Sequence, residues 1–255
     1  MTKRMHIIGL LVLGMAGFVT CGGGAAEISP ATYDWSTATA GDPLDGNDNW
    51  VRLTGGATGT IENTNQPAGF SGNYLDMTGS FSRQYTRAND SSFSYDIPAG
   101  ASKLIMSMVI EADSSTGLNW MGLYDADSNQ KWRFGVREGE NWGYRDRDSV
   151  IVELGNGSGD GRLVGARKSF RATVEMDLSS DKLDFLVDDL STPGGPEILG
   201  SGLDIGSIGY PTEFDGLFLR GGTGANVDAF RIAPEPSSLA LLCLAGLGLL
   251  GRRQR

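Results

Sequence analysis

Histidine and cysteine are almost missing from this 255-residue chain, and those present sit near its two ends: His6, Cys21 and Cys243. Residues 27 to 233 contain neither. A Ser-His-Asp triad, a Cys-His pair and a histidine-ligated zinc site therefore cannot be assembled from that stretch. No disulfide can form within it either, so its stability must come from core packing. Positive charge is also in the minority, with 21 Lys and Arg against 31 Asp and Glu. Taking Lys3, Arg4, Arg252, Arg253 and Arg255 away with the two ends, while Glu235 stays, leaves 16 basic residues against 31 acidic ones, about −15. Such a surface repels phosphate backbones and anionic lipid, so nucleic acid is not an expected partner.

What the chain does have is glycine, 38 residues of it, together with many Asp, Asn, Ser and Thr, while 40% of residues are hydrophobic. That is enough apolar material for a core, and turn residues recurring between short apolar runs favour strands over helices. At the N-terminus, Lys3 and Arg4 precede the apolar run Ile7 to Val19, and Gly24-Ala25-Ala26 supplies small residues for a signal peptidase. Residues 1–26 are expected to be a secretory signal peptide, cut before Glu27 and forming a helix while in use. Acylation at Cys21 is the weaker reading, because Phe18 and Thr20 suit a lipobox poorly.

At the other end, Ser237 to Gly251 is apolar apart from Ser237, Ser238 and Cys243. As a helix it would be about 22 Å long, against roughly 30 Å of hydrocarbon. It has no polar face, so it suits neither a surface helix nor a soluble domain. The arginines after it would stay on the cytoplasmic side. A marginal span with a basic stop suits transient membrane insertion followed by removal. Pro234-Glu235-Pro236, the short apolar stretch and Arg252-Arg253 together resemble the PEP-CTERM sorting signal of bacterial surface proteins. The resemblance covers residues 234–255. It implies that an exosortase, a membrane protease, cuts near Pro-Glu-Pro. It also implies a Gram-negative bacterium that makes exopolysaccharide, floc or biofilm, with the protein delivered to the cell surface or extracellular matrix.

Between the signals, residues 27–233 read as one β-domain. Trp132, Phe134 and Val136 alternate with basic residues, Phe170 to Leu178 alternates similarly, and Leu183 to Val187 follows the turn Ser179-Ser180-Asp181. Leu104 to Ile110 is continuous enough for a strand buried on both faces. Leu217 to Arg220 and Val227 to Ile232 supply late strands. About a dozen strands predict a two-sheet antiparallel sandwich of the jelly-roll kind. The order of segments, from Tyr33-Asp34-Trp35 and Asp48-Asn49-Trp50 to the closing Asn226 to Ile232, resembles concanavalin A-like (laminin-G-like) domains. The alternative is a β-sandwich of another type.

The chemistry left open without histidine is that of paired carboxylates, which glycosidases use. Glu111-Ala112-Asp113 and Glu175-Met176-Asp177 each supply two acids of the laminarinase pattern Glu-x-Asp-x-x-Glu but not the third. No catalytic residue is assigned, and the chain is expected not to be an enzyme. Asp125, Asp127 and Asn129 are spaced like calcium ligands, although Gln130 replaces the glycine and Val136 the bidentate Glu of an EF-hand loop, so a polar hairpin turn competes with that reading. Asp45, Asn47 and Asp48 form a similar cluster. Trp120, Tyr124, Trp132, Trp142 and Tyr144 crowd one region, as a core or as a sugar-stacking face. Flanking charges at Glu140, Arg145 and Asp146 make Trp142 and Tyr144 the expected exposed pair. These features frame two functions: a non-enzymatic exported surface protein associated with polysaccharide, or a lectin or glycoside hydrolase on a concanavalin A-like fold.

Overall fold

Alternation of apolar and polar residues, punctuated by glycine-rich turns, produces seventeen strands among the described residues, β1 to β17 in chain order. The computed structural model describes residues 31–48, 50–54, 59–77, 83–88, 95–97, 101–113, 116, 119–125, 130–137, 141–146, 150–154, 167–206, 213–214, 216–221 and 224–236. The first sheet runs β14 (Glu197–Asp204), β13 (Lys182–Asp189), β12 (Lys168–Asp177), β7 (Ala101–Ala112), β17 (Ala225–Pro236), β4 (Tyr74–Met77), β3 (Thr60–Glu62), with β1 (Ala31–Tyr33) also on β17. The second runs β11 (Ile151–Leu154), β10 (Asn141–Arg145), β9 (Gln130–Arg137), β8 (Asn119–Asp125), β16 (Gly216–Gly221), β5 (Arg83–Ala88), β2 (Val51–Thr54). A two-stranded piece pairs β15 (Glu213–Phe214) with β6 (Tyr95–Asp96). Every pairing is antiparallel.

This is the all-β, two-sheet sandwich that the alternation predicts, with no helix among the described residues. The expected signal helix (1–26) and the C-terminal hydrophobic helix lie outside them. Successive side chains on a strand point to opposite faces, so every second residue enters the space between the sheets. On β12 these are Phe170, Ala172, Val174 and Met176; on β9 they are Trp132, Phe134 and Val136, all buried. The two sheets meet through rings. Phe134 lies edge-on to Phe185 with centroids 6.2 Å apart, and Trp142 lies edge-on to Phe170 at 5.4 Å. Each such side chain contributes about 1.5–3 kcal/mol by leaving water.

The strand β7 departs from its sequence reading. Leu104, Met106, Met108 and Ile110 face the core, but Ile105 and Ser107 on the other face are only half-buried. Val109 alone is covered on that outer face, by Phe70 just before β4 and Tyr74 at its start, with Leu190 packed against them. A continuous apolar run is therefore one core stripe plus one local satellite, because the overlying chain packs only on Val109.

At the ends of the body, the aromatics of the early segments act as pins. Tyr33, Trp35 and Trp50 pack ring on ring, with the Trp35 and Trp50 rings stacked at 5.5 Å. Trp50 Nε1 donates to the Tyr33 hydroxyl at 2.7 Å, and Trp35 Nε1 donates to the Asp228 carbonyl at 3.0 Å. The last bond ties residue 35 to the final strand, 193 positions later.

Candidate functional site

Both carboxylate pairs sit on the outer face of the first sheet, alternating with the core residues of their strands. Glu111 accepts from Arg167 Nη1 at 3.3 Å and from Asn226 Nδ2 at 2.7 Å. Asp113 accepts from Arg167 Nε at 3.4 Å, while Arg167 Nη2 donates to the Gly224 carbonyl at 2.6 Å. One arginine is thus clamped between two acids and a backbone oxygen, which fastens the entry of β12 to β7 and β17. Glu175 pairs with Lys103 at 3.2 Å. Asp177 accepts from the Ser179 hydroxyl at 2.6 Å and from the Ser179 amide at 2.8 Å, closing the turn to β13. The Ser179 hydroxyl and amide hold its carboxyl below the usual range.

Glu175 and Asp177 line an open groove of about 390 Å³ with Lys103, Lys182, Asp184 and Ser201. Asp184 is held low by the Ser201 hydroxyl at 2.6 Å and the Gly202 amide at 2.9 Å, and Lys182 is paired with Asp204. Ion pairs and turn closure therefore engage these charges. A glycosidase needs one carboxyl kept protonated beside an ionised partner. Asp177 and Asp184 in this groove are both shifted in the opposite direction.

The acid that is shifted upward is one that alternation did not single out. Asp228, on β17, is 1% exposed, and burial, with a smaller push from Asp34, raises it to about 6. The Ser71 amide donates to its Oδ2 at 2.9 Å, and its Oδ1 is buried without a partner. Its neighbour Asn226 likewise keeps Oδ1 buried and unpartnered. The signal available in the sequence was the polar pair Asn226 and Asp228 flanking Val227 at the start of the apolar run that ends at Ile232, where the strand is irregular between Val227 and Phe230.

Two aromatic expectations need correction. Trp142 and Tyr144 are each 1% exposed and belong to the core, not to an open face. The period-two geometry of β10 sends Asn141, Gly143 and Arg145 outward and carries both rings inward, where Tyr144 stacks on Trp132 at 6.1 Å. Of the flanking charges, Arg145 faces the other way, and Asp146, just past the end of β10, is itself buried. Burial, then Asp146 and Asp204, pushes the Tyr144 phenol up to about 12, and its hydroxyl donates to the Asp204 carbonyl. Trp132 is core, as its alternation predicts. Trp120 is buried on the opposite, outer face of the second sheet. Tyr124 and Asp125 lie on β8, but their side chains are outside the described residues, as are Asp127 and Asn129 of the calcium-like spacing.

Trp120 has an unexpected neighbour. Arg133, which alternation puts on the face opposite Trp132 and Phe134, is 4% exposed. Its guanidinium carbon lies 5.7 Å from the Trp120 ring centre and 4.8 Å from that of Phe218. It fits because Gly122 stands directly opposite it; a Cβ there would come within 2.0 Å of the Trp132 carbonyl. Burial, then Arg145 and Arg220, lowers the pKa of Arg133, and the two rings offset part of that cost.

The second calcium-like cluster serves its own loop. Asp45 pairs with Arg52 at 3.3 Å, Asn47 exchanges bonds with the Thr39 backbone, and Asp48 accepts from Tyr33 and Thr37 at 2.7 Å each. Among the described residues, no group of three His, Cys, Asp or Glu is placed to hold a metal ion.

Residues 233–255 carry the PEP-CTERM protein-sorting motif. Pro234, Glu235 and Pro236 are described as the end of β17, whereas Arg252 and Arg253 are outside the described residues. No curated protein matches the chain significantly. The sandwich is similar to three lectin-type structures, all concanavalin A-like. Lectin II from Ulex europaeus is 11% identical, over 80% of this chain and 98% of that one, with a TM-score of 0.45. Arcelin-5, a lectin-like defense protein from Phaseolus vulgaris, is 7% identical over 81% and 98%, with a TM-score of 0.49. The lectin from Bauhinia forficata in complex with GalNAc is 12% identical over 82% and 100%, with a TM-score of 0.46.

Proposed function

We propose that this chain is a non-enzymatic protein of the cell surface or extracellular matrix of a Gram-negative bacterium, where it associates with exopolysaccharide. Its sandwich is the cargo, and its two ends are handling signals. The observation that carries this is the sorting motif at residues 233–255, which implies export and processing by an exosortase-type protease. The N-terminal segment, removed by signal peptidase, would start the export; the apolar stretch from Leu239 would hold the chain in the membrane until it is cut.

The state of the carboxylates supports the absence of catalysis. Glu111, Asp113, Glu175 and Asp177 are engaged by Arg167, Lys103 and the turn at Ser179, and they lie on an outer sheet face. Mass spectrometry of the exported protein tests the handling directly. The expected species begins near Glu27 and carries nothing beyond about Ser237. Mature extracellular protein that still ends at Arg255 would refute it.

A further inference from the structure

The last strand of the sandwich does not stop where the body gives way to the sorting motif. The strand β17 continues in register along β7, with Ala233 opposite Ile105, Pro234 opposite Leu104, Glu235 opposite Lys103 and Pro236 opposite Ala101. The Pro-Glu-Pro tripeptide is therefore a piece of the first sheet, beside the strand that also carries β12. On the other flank, the described residues of β1 pair with Phe230, Arg231 and Ile232. Proline has no amide hydrogen to give to a ladder and is confined to sheet edges, strand ends and irregular places. The irregularity between Glu235 and Pro236 fits that rule.

Upstream, the strand is anchored. Phe230 and Ile232 are fully buried, and residues 230–232 pair with both β7 and β1. Downstream there is no slack. Only Ser237 and Ser238 separate Pro236 from the apolar run that begins at Leu239. Two extended residues span at most about 7 Å. A folded body and a membrane-held tail would thus compete for the same four residues.

We propose that pairing with β7 shields the sorting junction, so that release of the tail requires residues 233–236 to leave the sheet while Phe230 and Ile232 stay docked. This rests on the reading of Pro234-Glu235-Pro236 as the segment a sorting protease recognises. A protease that binds an extended substrate needs the backbone that β7 occupies on one side. Cleavage of the folded chain then proceeds through local opening of the strand end, and chain that has not yet docked β17 is cut without that delay.

A removable lock tests the idea. Ile105 and Ala233 are direct partners, both half-buried on the outer face, and together they line a shallow groove. Directly opposed Cα atoms in an antiparallel pair are about 4.5–5.5 Å apart, within disulfide reach. Full-length chain carrying Ile105→Cys, Ala233→Cys and Cys243→Ser would be presented to membranes containing the protease, oxidised and then reduced. A second chain carries a ten-residue Gly-Ser spacer between Ala233 and Pro234. Unchanged melting curves would establish that both bodies are folded. The expected result is an oxidised chain that keeps its tail, reduced chain cut at the unlocked rate, and spacer chain cut at least about tenfold faster than the parent. Equal rates for oxidised and reduced chain, or for spacer and parent, would overturn the shielding. Glu235→Ala in the spacer chain separates the two levels: undiminished cutting there would refute Pro-Glu-Pro recognition itself, and the shielding with it.

Discussion

Replacing Asp228 by Asn should make the protein more stable at neutral pH and leave it unchanged in mild acid. Burial, with Asp34 adding to it, raises this carboxyl from 3.8 to about 6. Its folded-state value therefore lies above its unfolded one. Between about pH 4 and 6 the native chain binds the proton more tightly than the unfolded chain does. The group's contribution is most favourable at the acid end of that window and becomes a penalty as pH rises through 6. Carrying the ionised carboxylate into the folded state at pH 7 then costs on the order of 2–3 kcal/mol. Asparagine carries no charge to bury, and its Oδ1 can keep the bond from the Ser71 amide now made at 2.9 Å. Its Nδ2 would stand where Asp228 Oδ1 is already without a partner, so the cost of an unpaired polar atom is about the same before and after. Urea midpoints measured on both chains at pH 4, 5, 6 and 7 and constant salt isolate this group, since every other carboxylate is common to the pair. The difference should be near zero at pH 4 and grow to a gain for Asn by pH 7. A difference that is flat in pH, or a variant less stable at pH 7, would refute the reasoning.

Two other outcomes follow from the packing and the ion pairs. Trp142→Ala removes a ring lodged between Phe170 and Phe185, so it should cost about 3–5 kcal/mol in denaturant unfolding, a loss too large for an exposed binding residue. The purified chain should release no reducing sugar from β-glucans. Activity that disappears in Glu111→Gln or Glu175→Gln would make it a hydrolase.

The sandwich was legible because its strands alternate cleanly. Phe170 to Asp177 and Trp132 to Val136 place their apolar side chains in the core as period two requires. Trp142 and Tyr144 were misplaced because nearby charge was read as exposure, although Arg145 faces the other way and Asp146 is itself buried. Arg133 was placed on the right face, but its burial was not legible. A base between apolar residues belongs on the outer face, but the sequence does not show that Gly122, Trp120 and Phe218 converge there from two other strands. The extension of β17 through Pro236 was hidden by the prolines, which ordinarily end a strand. Asp228 escaped notice because burial is a property of the whole sheet.

The position of β17 also sets an order of events. It is the last of the described strands, yet it lies inside the first sheet, between β7 on one side and β4 and β1 on the other. Its partners were made 115 to 201 residues earlier, from Glu111 opposite Asn226 to Ala31 opposite Ile232, so closing this sheet is a long-range event of the slow, high-contact-order kind. Chain that crosses a membrane from its N-terminus cannot complete the sheet until residues 225–236 have emerged. Until then β7, β4 and β1 expose an open slot, and the nascent domain is an aggregation hazard that a holdase would have to cover. Arrival of the sorting tripeptide at the far side of the membrane and closure of the sandwich are thus the same moment in the life of the molecule.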